Sequence, residues 1–475
     1  MTILEGKHKI ENEIQELLVE LKGVEEQRAE IISRIQLLQK SLIHVNFTVC
    51  HNSADFIEKT DNSSQPERKV SLFRSYFRGR EDVFPRRFES QKTGKSGYQP
   101  VCKNEWSPGL CLKPEIKCSI CKNREFLPLT DLTIRNHLQG FNPAEHSGRD
   151  FTVGIYPLLA DETCWFLAID FDKTTWKEDV AAFLSICEKH NISYGLERSR
   201  SGNGSHVWVF FKEPVRASLA RKLGTFLLSE TMESYPGLGL DSYDRLFPCQ
   251  DTLPKGGFGN LIALPLQKKP REKGNSVFIN SAFEPYPDQW AFLSSIQKMS
   301  LNEVEFIVLE AERKNQILGI SALEDDNDEL EPWKLLPSKI KTPAPITGVL
   351  PESIEIVIGS QLFVAKAKLP PALRNRIIRL AAFQNPEFYK AQAMRLPVFN
   401  KPRIINCSEE FQNHLALPKG CLDQLLELLK SLQIKPEIKD ERNSGSSIVA
   451  YFNGCLRPEQ AKAAEALLGY DSGVL

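Results

Sequence analysis

Apolar residues recur in alternating steps of four and three from Ile10 through Ile14, Leu17, Leu21, Val24, Ile31, Ile35 and Leu38 to Leu42, with Arg28 at the one polar seam position. Glu, Lys, Gln and Arg fill the intervening positions, so residues 1–45 predict a coiled-coil helix whose seam pairs with another helix. The partner is a second copy, giving a homo-oligomer, or a returning segment of the same chain. The periodicity dissolves at residues 46–69 into Asn, Ser, Asp and Thr, the composition of a linker.

From residue 131 to 300 the pattern changes period. Short apolar runs bounded by Gly, Asn and Pro (FTVGIYPLL, CWFLAIDF, ISYGLERS, HVWVFF, NLIALPLQ) alternate with helical periodicity at about Thr175–His190 and Ala217–Ser229. Strands alternating with helices predict an α+β core built on a mixed sheet. A helical extension follows at 301–350 and gives way to an acidic run from Glu324, then to Pro332, Pro337, Pro343, Pro345 and Pro351, a tether. Residues 351–475 form a C-terminal α/β accessory region.

With 475 residues, 41% hydrophobic and 25% charged, the chain exceeds one ordinary core and predicts two to four folded units. It contains no run of eighteen apolar residues and no basic-then-apolar leader, which predicts a soluble cytoplasmic protein with no membrane association. The net charge of −1 hides an uneven distribution: Pro66 to Leu129 carries fourteen Lys/Arg against seven Asp/Glu. Phe73, Tyr76, Phe77, Phe84, Phe88, Tyr98 and Trp106 are interleaved with these charges. Basic and aromatic residues together suit phosphate contact plus base stacking; the plainer reading is a solvated basic face over ordinary core aromatics.

Most of the eleven cysteines sit singly in apolar stretches, as Cys164 and Cys187 do. Cys102, Cys111, Cys118 and Cys121 do not. One tight C-x2-C knuckle plus two further thiols within twenty residues is the donor set of a structural four-thiolate Zn²⁺ site, which makes residues 70–130 a basic zinc-binding module.

The apolar run CWFLAIDF ends in Asp170-Phe171-Asp172. Strand alternation puts both carboxylates on one face, where they can share Mg²⁺ or Mn²⁺. Alone, D-x-D is a weak signal, equally a solvated strand end. Downstream, Arg198, Arg200, Ser201, Gly202, Asn203, Gly204 and Ser205 lead into His206 at the start of another strand. Small residues let backbone N–H groups approach a triphosphate, and Arg and His donate to its oxygens. A two-metal site needs a third acid, for which Asp241, Asp244 and Asp251 are available and Asp244 is preferred; Lys255, before Gly256-Gly257, offers a further grip on phosphate or template.

In their order and wording, the strings YGLERSRSGNGSHVWVFF and YDRLFPCQDTLPKGGFGNLIALPLQ, with the cysteine module before them, resemble the archaeo-eukaryotic primase superfamily. The resemblance is to the primase-polymerases of TOTE conflict systems and their relatives encoded near CRISPR loci, and it spans roughly residues 70 to 300. It implies an RRM-like catalytic sheet and template-directed synthesis of DNA or RNA from nucleoside triphosphates on single-stranded DNA. In that family's terms Asp170 and Asp172 are metal ligands, His206 a nucleotide-phosphate contact and Asp244 the third acid, with Asp241 as alternative. The family's second motif often has Ser two residues before the His; here that place is Gly204.

The terminal LRPEQAKAAEALLGYDSGVL resembles the approach to the first ATPase motif of superfamily 2 helicases, so a helicase partner, a truncated chain or a lost motor is expected. No G-x4-GK[ST] is present: Gly94-Lys95-Ser96 imitates its end, but Glu89 stands where the first glycine is needed. Two other classes compete with the nucleotidyltransferase. A metal-dependent nuclease uses the acids but leaves the Arg/Ser/Gly/His loop without a role, and a non-catalytic nucleic-acid scaffold makes the spacing of the acids a coincidence.

Overall fold

A computed structural model describes residues 60–469 apart from 91–92, 144–149, 314–345, 347–348, 444, 447–448 and 450. The coiled coil expected at 1–45, most of the linker at 46–69 and the acidic part of 301–350 lie outside the described residues.

Helix α1 (Pro66–Tyr76) starts on a proline, whose missing N–H costs nothing there, and buries Val70, Phe73 and Tyr76 at helical spacing. A hairpin of β1 (Pro85–Glu89) and β2 (Ser96–Pro100) follows, then the cysteine loops, then α2 (Asp131–Gln139) and the short β3 (Gly154–Ile155). The central sheet is built from β4 (Thr163–Phe171), α3 (Trp176–Lys189), β5 (Gly195–Arg198), β6 (Ser205–Arg216), α4 (Ala217–Ser234) and β7 (Leu246–Phe247). The short β8 (Ile262–Ala263) pairs with β3, and β9 (Val277–Phe278) closes the far edge of a sheet ordered β7-β4-β6-β5-β9.

The first four of these strands, in the sequence βαββαβ, follow the split β-α-β pattern. All their pairings are antiparallel, so the core sheet is not mixed as the sequence suggests. The reason is local: residues 199–204 turn β5 straight back into β6, closed by Ser199 N–H to Gly204 O at 2.9 Å. Helix α3 turns Trp176, Val180, Phe183, Leu184 and Cys187 inward at three- and four-residue spacing. Helix α4 is buried almost all round, because β4, α3, α5 (Leu301–Arg313) and α6 (Pro371–Leu380) all pack on it.

The aromatic residues of the basic stretch divide. Phe73, Tyr76, Phe77 and Phe84 are core side chains, with Phe77 edge-on to Trp208 at 4.9 Å, whereas Phe88 and Trp106 are exposed. Base stacking by the first four is thereby corrected: the same apolar spacing that places them among basic residues is the buried stripe of α1 and its exit. Residues 351–440 have their own apolar core. There β10 (Ser353–Ile358), β11 (Leu362–Ala365), β14 (Glu409–Glu410), β15 (His414–Leu417) and β16 (Lys435–Asp440) form a sheet ordered β14-β15-β11-β10-β16, mixed because β16 runs parallel to β10. A separate hairpin, β12 (Ala382–Gln384) with β13 (Ile404–Asn406), brackets α7 (Pro386–Ala393). No described helix is long and apolar enough to cross a membrane.

Candidate active site

Asp170 on β4 stands opposite His206 on β6, and His206 stands opposite Glu197 on β5. Three adjacent strands thus place an acid, an imidazole and a second acid in one row on one face of the sheet. Alternation sends Phe171 to the other face, where its ring lies 5.5 Å from that of Phe183 on α3. Asp172 follows at the strand end, with its side chain half-exposed.

Glu197, only 1% exposed, was not among the residues singled out from sequence. Its Oε2 accepts from His206 Nδ1 at 3.0 Å and from Trp208 Nε1 at 3.0 Å, and its Oε1 accepts from Ser276 Oγ at 3.3 Å. The signal was a lone acid inside the apolar strand of YGLERS, which a strand buried on both faces does not tolerate without partners. With Nδ1 held, His206 presents Nε2 at 3.7 Å from Asp170 Oδ1. Burial opposes protonation of His206, but Glu197 and then Asp170 outweigh it, and its pKa lies above that of ordinary imidazole. Burial, only partly offset by His206, raises the pKa of Asp170.

Arg245 was also unanticipated. Its Nη1 is hydrogen-bonded to Asp172 Oδ1 and lies 3.9 Å from Asp170 Oδ2, so a single cationic nitrogen sits between the two carboxylates. The third-acid candidates separate. Asp241 and Asp244 are both exposed: Asp241 pairs with Lys173 at 2.8 Å, while Asp244 accepts the Arg403 N–H at 3.0 Å and, through partial desolvation and then the charge of Asp241, has its pKa pushed up to about 6. Asp251 is engaged by Arg221 and Gln392. Among the described residues no group of three or more His, Cys, Asp or Glu side chains is arranged to hold a metal ion.

The loop 199–204 is fixed by its own backbone. Gly202 adopts a φ of +83°, and Asn203 N–H donates to Ser201 Oγ at 3.2 Å. Gly204 explains its departure from the family pattern: a Cβ there would lie 2.6 Å from the carbonyl oxygen of Phe171, so the end of β4 leaves no room for a side chain. Ser205 is fully buried, and its Oγ has no hydrogen-bond partner. Arg198 is turned away, donating to the carbonyls of Gly274 (3.0 Å) and Phe283, whereas Arg200 reaches Gln267 and lies 3.7 Å from Asp150. Lys255 is exposed beside the cysteine loops, its neighbour Gly256 accepting from Arg124 at 3.2 Å.

Cys102, Cys111, Cys118 and Cys121 line one small cavity together with Lys113, which interacts with the Cys118 thiol. Burial is the main influence raising the pKa of Cys118, against the pull of Lys113. The four cysteines are thus neighbours around one space, although among the described residues no three of them are arranged to hold a metal ion.

The core is a split β-α-β sheet with Asp170 and Asp172 at the end of its first strand and His206, held by Glu197, on its third. Residues 68–307, about half of the chain, match the family described as TOTE conflict system, Archaeo-Eukaryotic Primase domain, and the chain belongs to that family. Among solved structures, the polymerase domain from Mycobacterium tuberculosis Ligase D in complex with DNA is similar at 13% identity, over 52% of this chain and 86% of that one, with a TM-score of 0.26. No curated protein matches the chain.

Proposed function

We propose that the chain is a template-dependent nucleotidyltransferase, a primase-polymerase that synthesises DNA or RNA on single-stranded DNA. The observation that carries this reading is the row Asp170–His206–Glu197 across three strands, with Asp172 and the glycine-rich 199–204 loop at its open end.

The position of Arg245 Nη1 between Asp170 and Asp172 supports reading the two carboxylates as a pair for a cation, and oxygen donors of this kind suit Mg²⁺ or Mn²⁺. Asp170 and Asp172, with Asp244 as third acid, would hold such ions, which when bound activate a 3′-hydroxyl and neutralise the departing pyrophosphate. The protein's own residues do the rest. Glu197 fixes the imidazole ring and favours its cationic form, leaving His206 Nε2–H to donate to a triphosphate oxygen. Arg200 borders the same loop and would add a second donor to the phosphate, while Ser205, buried opposite Phe171, faces the other side of the sheet. Arg198, tied to Gly274 and Phe283, positions the loop instead of meeting phosphate. Lys255, exposed beside the cysteine loops, would contact template.

The thiols of Cys102, Cys111, Cys118 and Cys121 have the donor chemistry of a structural zinc site, and we assign Zn²⁺ to them as a scaffold for the basic loops. The exposed Trp106, with Lys113 Nζ 5.7 Å from its ring, gives those loops a stacking surface for a template base.

The test is incubation of the purified chain with single-stranded DNA, Mn²⁺ or Mg²⁺ and labelled nucleotides, with and without an annealed primer. Elongated products support the reading, products without primer add priming, and shortened DNA replaces it with a nuclease.

A further inference from the structure

The residues that match the primase family end at 307, yet the loop carrying Asp244 and its downstream residues is gripped by side chains far beyond that limit. Gln392, at the end of α7, makes a reciprocal pair with Asp251: Asp251 N–H donates to Gln392 Oε1 at 3.1 Å and Gln392 Nε2 donates to Asp251 Oδ2 at 3.0 Å. Thr252 Oγ1 donates to the Gln392 carbonyl at 3.0 Å, and Lys255 N–H donates to the Arg395 carbonyl at 3.1 Å. On the other side, the Arg403 N–H donates to Asp244 Oδ1 at 3.0 Å and its guanidinium donates to the Cys249 carbonyl. The Arg403 side chain is only 4% exposed, is stacked over Phe388 at 4.6 Å, and still leaves Nε and Nη1 without partners.

That is a costly arrangement for mere adhesion. Burying a guanidinium with unmet donors opposes folding, and an apolar contact of the same size would attach the region better. What the polar contacts add is direction: each one fixes a backbone atom, a carboxylate or, at Thr252, a hydroxyl within residues 244–255.

We infer that residues 385–403 are a built-in positioning element of the catalytic site, with Gln392 and Arg403 as positioning residues that set the loop bearing Asp244. The inference rests on the assignment of Asp244 as the third acid. It makes the family-matched span incomplete as a catalyst: the accessory region supplies no reacting group but holds one in place. Displacements of about 1 Å at a reacting group cost up to 100-fold in rate, so loosening this loop acts on turnover more than on binding.

The test uses the full chain carrying Gln392→Ala, with Asn375→Ala as comparison. Asn375 also docks the accessory region, but its hydrogen bond goes to the Met232 carbonyl on α4, outside 244–255. Hydrogen exchange across 244–255 and steady-state primer extension are measured for both. The expected result is faster exchange at 244–255 and a kcat about tenfold lower, with KM for nucleotide within about twofold, in Gln392→Ala alone. Equal effects from the two variants, or unchanged exchange and kcat in Gln392→Ala, overturn the inference. If Asp244→Asn keeps full activity while Gln392→Ala loses it, the third-acid assignment fails and the inference with it. If the wild-type chain extends nothing, the nucleotidyltransferase reading fails, and the exchange result alone decides whether the loop is pinned.

Discussion

Glu197 Oε2 accepts two hydrogen bonds of 3.0 Å, one from His206 Nδ1 and one from Trp208 Nε1. A buried carboxylate so placed does two things to His206: it fixes which nitrogen faces Asp170, and it favours the imidazolium. Glu197→Gln keeps the shape and removes the charge. Because Glu197 is the largest influence raising the His206 pKa, the variant releases that proton at lower pH. The alkaline limb of the pH–kcat/KM profile for primer extension should move to lower pH, with the acid limb unmoved. An unmoved alkaline limb at wild-type rate would remove the His206–Glu197 pair from the reaction.

Gly204 stands where relatives often carry serine, and the space there forbids one. A Cβ would come within 2.6 Å of the Phe171 carbonyl oxygen, a backbone atom that cannot turn aside. Gly204→Ser should therefore destabilise the chain by about 1–3 kcal/mol, read as a lowered urea midpoint, and should reduce extension because the end of β4 shifts with it. A variant as stable as wild type would mean that the strand end yields freely.

His137 is wholly buried, with Nε2 donating to the Pro265 carbonyl at 2.9 Å and Nδ1 accepting the Val153 N–H at 3.2 Å. Both nitrogens are satisfied in the neutral ring, and burial lowers its pKa from 6.5 to about 4. The unfolded chain binds this proton first, so stability is unaffected above about pH 6.5 and falls as pH drops towards 4. At pH 5 the loss from this residue is about 2 kcal/mol. Denaturant unfolding at pH 7 and pH 5 checks it: in His137→Asn the part of the decline due to this residue should disappear.

The cysteine cavity gives a prediction independent of catalysis. Purified chain should contain about one zinc ion per molecule, and Cys118→Ser with Cys121→Ser should lose it. Single-stranded DNA binding should weaken about tenfold in Trp106→Ala with zinc content unchanged, as loss of one stacked base implies. Metal-free wild-type protein by elemental analysis would leave the four thiols as ordinary cysteines.

What could be read from the sequence followed the range of the interaction. The helices expected at Thr175–His190 and Ala217–Ser229 are α3 and α4, because their apolar spacing is a local property; α4 runs on to Ser234 because the polar segment Glu230 to Ser234 packs on the helices around it. The run NLIALPLQ looked like a whole strand, but only Ile262–Ala263 pair: Leu264 and Leu266 are buried by irregular backbone that apolar content alone does not reveal. Asp170 and His206 were legible since each ends or starts an apolar run. Glu197 was hidden in such a run, and Arg245 among charges, because their meaning comes only from cross-strand register. The grip of Gln392 on Asp251 joins residues 141 apart in the chain, and no local pattern announces it.

The most direct measurement is primer extension on single-stranded DNA with Mn²⁺, comparing wild type with the double variant Asp170→Asn, Asp172→Asn at matched folding by circular dichroism. Wild type should lengthen the primer, and the double variant should fall by at least about a thousandfold, since both carboxylates proposed to hold the metal ions are neutralised. Extension by the double variant at a rate near that of wild type would contradict the account at its centre.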